Sequence, residues 1–176
     1  MKREAELTAI MHAMEATGSP PLGRPLAWAL TESKSLDPAP GLALPDLDGH
    51  WHDLADHPGT VMLVNFWSTW CRPCAMEMPA IVRLARKMRG SAFKVFSVVV
   101  GDDPDRVRLF RRQLGGRLWF PLLQDMDAGA MEAWNVRGLP STFLVDRRGR
   151  IAYTAVGGRD FDHPQVEHIV RTLMQD

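Results

Sequence analysis

An α/β fold with a mixed central sheet flanked by helices is what this 176-residue chain predicts. Three observations lead there. Two continuous apolar runs, Val61–Trp67 and Phe93–Val100, read as strands buried on both faces, which requires helices above and below the sheet. Stretches of helical periodicity alternate with them, over residues 72–89 and 104–114. Near the end, Ser141–Val145 and Ile151–Val156 read as two strands joined by residues 146–150, with Gly149 making the turn, before a final helix. A hairpin added to strands linked by helical crossovers makes the sheet mixed.

Composition bounds the function. With 45% hydrophobic and 24% charged residues the chain is globular, and its length suits one core with an extension. The 21 Lys and Arg balance 21 Asp and Glu, so no basic excess points to nucleic acid as a partner. No run approaches the ~18 apolar residues of a membrane span. The opening MKREAE lacks the apolar stretch of an export signal, so residues 1–40 are read with neither signal nor anchor.

In chain order, Leu7, Ile10, Met11 and Met14 recur at helical spacing and predict a short amphipathic helix. It is read as docked on its own domain, with oligomerisation through residues 5–15 as the alternative to a monomer. Residues 18–45 are rich in proline and glycine and read as a linker or wrapping arm rather than a packed element. The division is therefore residues 1–40, helix and arm, followed by a catalytic domain over 41–176. Residues 42–47 and 50–54 flank Asp48 and Gly49 as an N-terminal strand hairpin. Pro79 predicts a kink in the helix over 72–89. Asp103 before Pro104 is a cap-and-proline start for the next helix, whose Arg108, Arg111 and Arg112 form a solvated face. A short strand is expected over 119–123, a short helix over 128–134, and the last helix over 162–174 with Val166, Ile169, Val170 and Leu173 inward.

The chemistry resides in WSTWCRPC, residues 67–74, because Cys71 and Cys74 are the only cysteines. Two cysteines cannot form a secreted disulfide framework or a four-cysteine zinc site. Placed after a buried strand and at the start of a helix, Cys71 meets unpaired N–H groups and the helix dipole, which favour its thiolate. It is expected to be the exposed nucleophile, with Cys74 one turn further in to resolve a mixed disulfide. Arg72 adds positive charge beside the thiolate and Pro73 fixes the backbone between the sulfurs. Trp67 is expected in the core and Trp70 exposed beside Cys71, where an aromatic surface favours a polypeptide substrate. His50, His52 and His57 cluster in sequence but are read as solvating a turn, so no metal site is assigned. No nucleotide loop or haem motif appears, and the redox-active disulfide stands in for a cofactor.

The segment NFWSTWCRPCAMEMPAI, with the downstream VRGLPSTF of residues 136–143, resembles the thioredoxin superfamily, specifically its TlpA/ResA-like thiol–disulfide oxidoreductases. The resemblance covers about residues 42–176 and implies a thioredoxin-like fold, with residues 102–134 as the family's central helix–strand insertion. It implies that Pro140 follows a cis peptide bond beside the sulfurs and that Leu139 lines a substrate groove with Trp70, Arg72 and Pro73. Asn65 stands where thioredoxins carry a buried acid. Glu77, three residues after Cys74 on the same helix, is the natural replacement as a partly buried general acid–base. The function implied is a protein-disulfide reductase acting in redox homeostasis. A dithiol oxidase and a copper-binding metallochaperone remain alternatives; a thiol peroxidase is disfavoured because Val64 replaces that family's proline. Partners implied are a protein disulfide, including cytochrome c biogenesis substrates, and a membrane or soluble thiol donor. The compartment implied is the bacterial periplasm.

Overall fold

The computed structural model describes residues 26–115 and 118–176. The helix expected near residues 7–14 and the segment 18–25 lie outside the described residues. In chain order the strands are β1 (Thr31–Glu32), β2 (Ala43–Pro45), β3 (Trp51–Asp53), β4 (Val61–Trp67), β5 (Phe93–Val100), β6 (Leu122–Asp125), β7 (Ser141–Val145) and β8 (Ile151–Val156). The helices are α1 (Arg72–Lys87), α2 (Pro104–Gln113), α3 (Gly129–Ala133) and α4 (Pro164–Gln175). Six strands form one sheet in the order β1-β8-β7-β4-β5-β6, and β2 pairs with β3 as a separate hairpin. β4, β5 and β6 are parallel, whereas β7, β8 and β1 join antiparallel, so the sheet is mixed as expected.

β4 is central and all seven of its residues are buried. Alternation sorts them between two cores. Val61, Leu63 and Trp67 face Met78, Ile81 and Leu84 of α1 and Val166 and Val170 of α4. Met62, Val64 and Phe66 face the opposite layer with Phe96, Val98 and Trp134. By the same alternation Asn65 points to the α1 side, and this brings it to Glu77. Trp67 fixes its orientation by donating its indole N–H to Ser97 Oγ at 2.7 Å.

Helix starts follow their caps. Asp103 accepts from the Asp105 N–H at 2.8 Å to open α2. α4 begins at Pro164 rather than at residue 162, because His163 Nδ1 is the cap and accepts from the Gln165 N–H at 3.2 Å. α1 runs through Pro79 as one segment. Arg108, read as solvated, bonds Asp105 and reaches across to the carbonyl of Leu47 at 2.8 Å, tying α2 to the hairpin.

Two expectations need correction. The strand placed at 119–123 pairs only from Leu122 onward, because Pro121 offers no N–H to the ladder. Trp119 instead lies under the Arg89 guanidinium at 4.4 Å. The described part of the proline-rich arm, read as a linker or wrapping arm and not as a packed element, does contribute a strand to the sheet. β1 pairs with β8 (Thr31 with Thr154, Glu32 with Tyr153), and Ser33 N–H donates to the Ala152 carbonyl at 2.8 Å.

Candidate active site

Cys71 and Cys74 form a disulfide across the first turn of α1. Cys71 occupies the cap position with extended backbone, and no side chain caps this helix end. The first N–H groups of α1 therefore take no side-chain partner, and Cys71 stands at that end of the helix. Cys71 is less open than expected: it retains 8% of its surface, while Cys74 retains none. It is still the more accessible cysteine, and Arg72 and Pro73 beside it are exposed. Trp70 is 55% exposed, an apolar surface adjoining the disulfide.

The loop between β4 and α1 is held by a residue that sequence reasoning missed. Asp102, buried at the end of β5, accepts from the Thr69 backbone N–H at 2.7 Å and from the Thr69 hydroxyl at 2.6 Å. Its other oxygen accepts from the Asp103 N–H, and Arg106 lies 3.8 Å away. The clamp fixes the residue two positions before Cys71. A signal was present: Thr69 and Asp102 each follow the end of one of two adjacent parallel strands, β4 and β5. Asp102→Ala leaves two buried donors unpaired and is expected to lower stability by about 1–3 kcal/mol. Urea unfolding of the oxidised protein measures this, and an unchanged midpoint would show that the clamp contributes nothing.

Glu77 is fully buried, not partly, with 0% of its surface exposed. Its Oε1 accepts from Asn65 Nδ2 at 2.7 Å and its Oε2 from the Arg159 backbone N–H at 3.0 Å. Asn65 Nδ2 also donates to Thr142 Oγ1 at 2.8 Å, and Asn65 Oδ1 finds no partner among the described residues. Burial pushes the Glu77 carboxyl up to about 8, against the Arg159 N–H, the Asn65 amide and the Arg159 guanidinium, which all favour the anion. Burial thus holds the Glu77 carboxyl protonated well above the usual carboxylate range, one helical turn from Cys74.

The Leu139–Pro140 peptide bond is cis. Pro140 O accepts from the Gly157 N–H at 2.9 Å, joining this loop to the end of β8. Leu139 is half-buried and packs against the edges of both cores. Next to it in the sheet, Val156 pairs with Ser141 and is 71% exposed. Gly158 follows, and a Cβ placed there would meet the Pro73 carbonyl oxygen at 3.3 Å. The 157–160 loop thus touches the cis-proline segment, Pro73 between the cysteines, and Glu77.

The histidines lie elsewhere. His52 Nε2 is 2.9 Å from Asp46 Oδ2, His50 Nδ1 is 3.6 Å from Asp46 Oδ1, and His57 packs edge-on against Phe96. Among the described residues no group of three or more His, Cys, Asp or Glu side chains could hold a metal ion. Nor is any helix among them long and apolar enough to cross a membrane.

This geometry has counterparts among known proteins. The AhpC/TSA family model matches residues 36–154. The thiol-disulfide oxidoreductase ResA of Geobacillus kaustophilus is 37% identical over 119 residues, which span 68% of this chain and 67% of that protein. ResA of Bacillus subtilis is 31% identical over 119 residues, covering 68% and 65%. A crystal structure of a thiol:disulfide interchange protein of the thioredoxin family from Chlorobium tepidum superposes with a TM-score of 0.67 at 26% identity, covering 78% of this chain and 96% of that one. With its cysteine pair, its sheet order and these relatives in agreement, the chain belongs to the AhpC/TSA family and, within the thioredoxin superfamily, is a ResA-like thiol–disulfide oxidoreductase.

Proposed function

We propose that the chain is a protein-disulfide reductase. The reduced Cys71 thiolate attacks one sulfur of a partner disulfide, forming a mixed disulfide and releasing the partner's other sulfur as a thiolate. Cys74, as thiolate, then attacks the Cys71 sulfur, closes the intramolecular disulfide and releases the partner's remaining thiolate. Two electrons pass from the cysteine pair to the partner, whose thiolates take up protons. The observation that carries this reading is the placement of the Cys71–Cys74 disulfide at an uncapped helix start, with Cys71 keeping some exposed surface and Cys74 none.

Glu77 is read as the general acid–base for Cys74. It takes the thiol proton as Cys74 becomes a nucleophile and returns it when the disulfide is reduced again. Its raised proton affinity suits both directions near neutral pH. The exposed Trp70, Arg72 and Pro73 and the half-buried Leu139, with Pro140 buried after its cis bond, are read as the surface that takes an extended polypeptide. Periplasmic or other extracytoplasmic work follows from the family resemblance, with a membrane thiol-transfer protein as electron donor. The substrates that fit are cysteine pairs awaiting reduction, as in apocytochrome c.

The test is the equilibrium reduction potential of Cys71–Cys74 from pH 5 to 10, in the native sequence and in Glu77→Gln. A value at pH 7 near the roughly −270 mV of thioredoxin, or lower, supports a reductase. A value near about −120 mV makes the protein an oxidase of dithiols and reverses the proposed direction. The pH dependence is expected to bend near the Glu77 titration and to lose that bend in Glu77→Gln. An identical curve for both removes Glu77 from the proton path.

A further inference from the structure

The backbone N–H that grips Glu77 Oε2 belongs to Arg159, and Arg159 is itself held by the N-terminal arm. Its Nε donates to the Ala29 carbonyl at 2.8 Å. The next residue, Asp160, donates its N–H to the Ala27 carbonyl at 2.8 Å. Leu26 lies against Gly158, with its Cδ2 3.5 Å from where a Cβ would stand. Trp28 stacks flat on His163 at 4.8 Å, with 8° between the rings. Residues 26–29 therefore bond and pack along the 157–160 loop, which itself meets Pro73 and Glu77. Besides this loop, Glu77 is bonded by Asn65 of β4, with Thr142 of β7 behind it, and Cys74 lies one turn earlier on its own helix. Arg159 is the charged residue acting on it.

We propose that Arg159 is a positioning residue for Glu77, kept in place by a strap of residues 26–29, so that the strap sets how firmly the carboxylate is gripped. The physical reason is directional. A backbone N–H aimed at a carboxylate oxygen stabilises the anion only while its distance and angle are kept. The 157–160 loop opens on a glycine with positive φ, Gly157 at 86°, and residues 26–29 hold its far end through Arg159 and Asp160. With the strap seated, Glu77 gives up its proton more readily. With the strap lifted, the N–H withdraws and burial acts alone. The functional weight of this device rests on the Glu77 role proposed above.

The experiment is a pH titration of the Glu77 carboxyl carbon by NMR, on the full oxidised chain with labelled glutamate. The resonance is assigned by its disappearance in Glu77→Gln. Trp28→Ala removes the stack on His163 and leaves Arg159 intact. Arg159→Lys keeps a positive charge but loses the Nε donor to Ala29, and Arg159→Met loses both. Each variant's amide spectrum verifies that the domain is folded, and Trp28→Leu, which keeps apolar bulk without a ring, replaces Trp28→Ala if it is not. The Glu77 midpoint is expected to rise in all of them, by about half a pH unit or more. If only Arg159→Met moves it, charge alone acts on Glu77 and the strap is overturned. If the strap variants move the midpoint but Glu77→Gln leaves the potential's pH dependence unchanged, the proton role fails while the strap's grip stands.

Discussion

Cys71→Ser is expected to leave a folded protein inert towards disulfides, whereas Cys74→Ser reacts once and stops. The asymmetry follows from accessibility and from the helix start. Cys74 is fully buried, so a partner disulfide cannot reach it, and the cap position that favours a thiolate belongs to Cys71. With serine at 74 no second sulfur can displace the partner, and the mixed disulfide persists until an external thiol releases it. Mass spectrometry of each reduced variant mixed with oxidised glutathione reads this directly. The expected result is a glutathione adduct on Cys74→Ser and none on Cys71→Ser. The reverse pattern would assign the nucleophile to the wrong cysteine.

The second large effect is on stability. In Glu77→Gln the domain is expected to gain stability relative to the native sequence as pH rises. Burial holds the Glu77 carboxyl at about 8 when folded, against an ordinary value of 4.5. Below pH 4.5 the group is protonated in both states and costs nothing. Between 4.5 and 8 the unfolded chain releases the proton and the folded one keeps it, so stability falls with pH. Above 8 both are ionised and the penalty stays at its full value. Glutamine carries no such penalty. The gap between variant and native protein should therefore widen by about 4 kcal/mol from pH 5 to pH 9. The amide also fits the site: Asn65 can turn its unpaired Oδ1 towards the new NH₂. Denaturant melts of the oxidised proteins at the two pH values check this, and a gap that stays constant would mean Glu77 does not resist ionisation.

Much of this was legible because it is local. The bounds of β4, β5, β7 and β8 follow from apolar runs and the turn at Gly149. The cysteine pair needs only three residues and a strand before it. The place of Asn65 on the α1 side follows from alternation along β4. What escaped depends on distant segments meeting. Glu77 looked half-solvated because nothing near it in sequence announces Arg159, whose N–H approaches only when the end of β8 folds over α1. The contact between Ala29 and Arg159 spans most of the chain and carries no motif. The shifted start of β6 is a different failure: a run of apolar residues suggested a strand, but one proline inside it decided where pairing could begin.

The arm beyond the strap has a consequence for the sheet as a material object. The outer side of β8 would otherwise be a bare row of backbone donors and acceptors, the kind of edge on which another chain can add itself. Residues 31–39 run along it. Thr31 and Glu32 pair with Thr154 and Tyr153, Ser33 bonds Ala152, the Asp37 carbonyl accepts from the Ile151 N–H at 2.9 Å, and Ala39 N–H donates to the Gly149 carbonyl at 2.9 Å. A protease cut within this stretch would spare both cysteines and uncover a self-adhesive border. Such a clipped molecule would keep its cysteine pair and gain an edge on which copies can pair, so self-association would be the first sign of the damage.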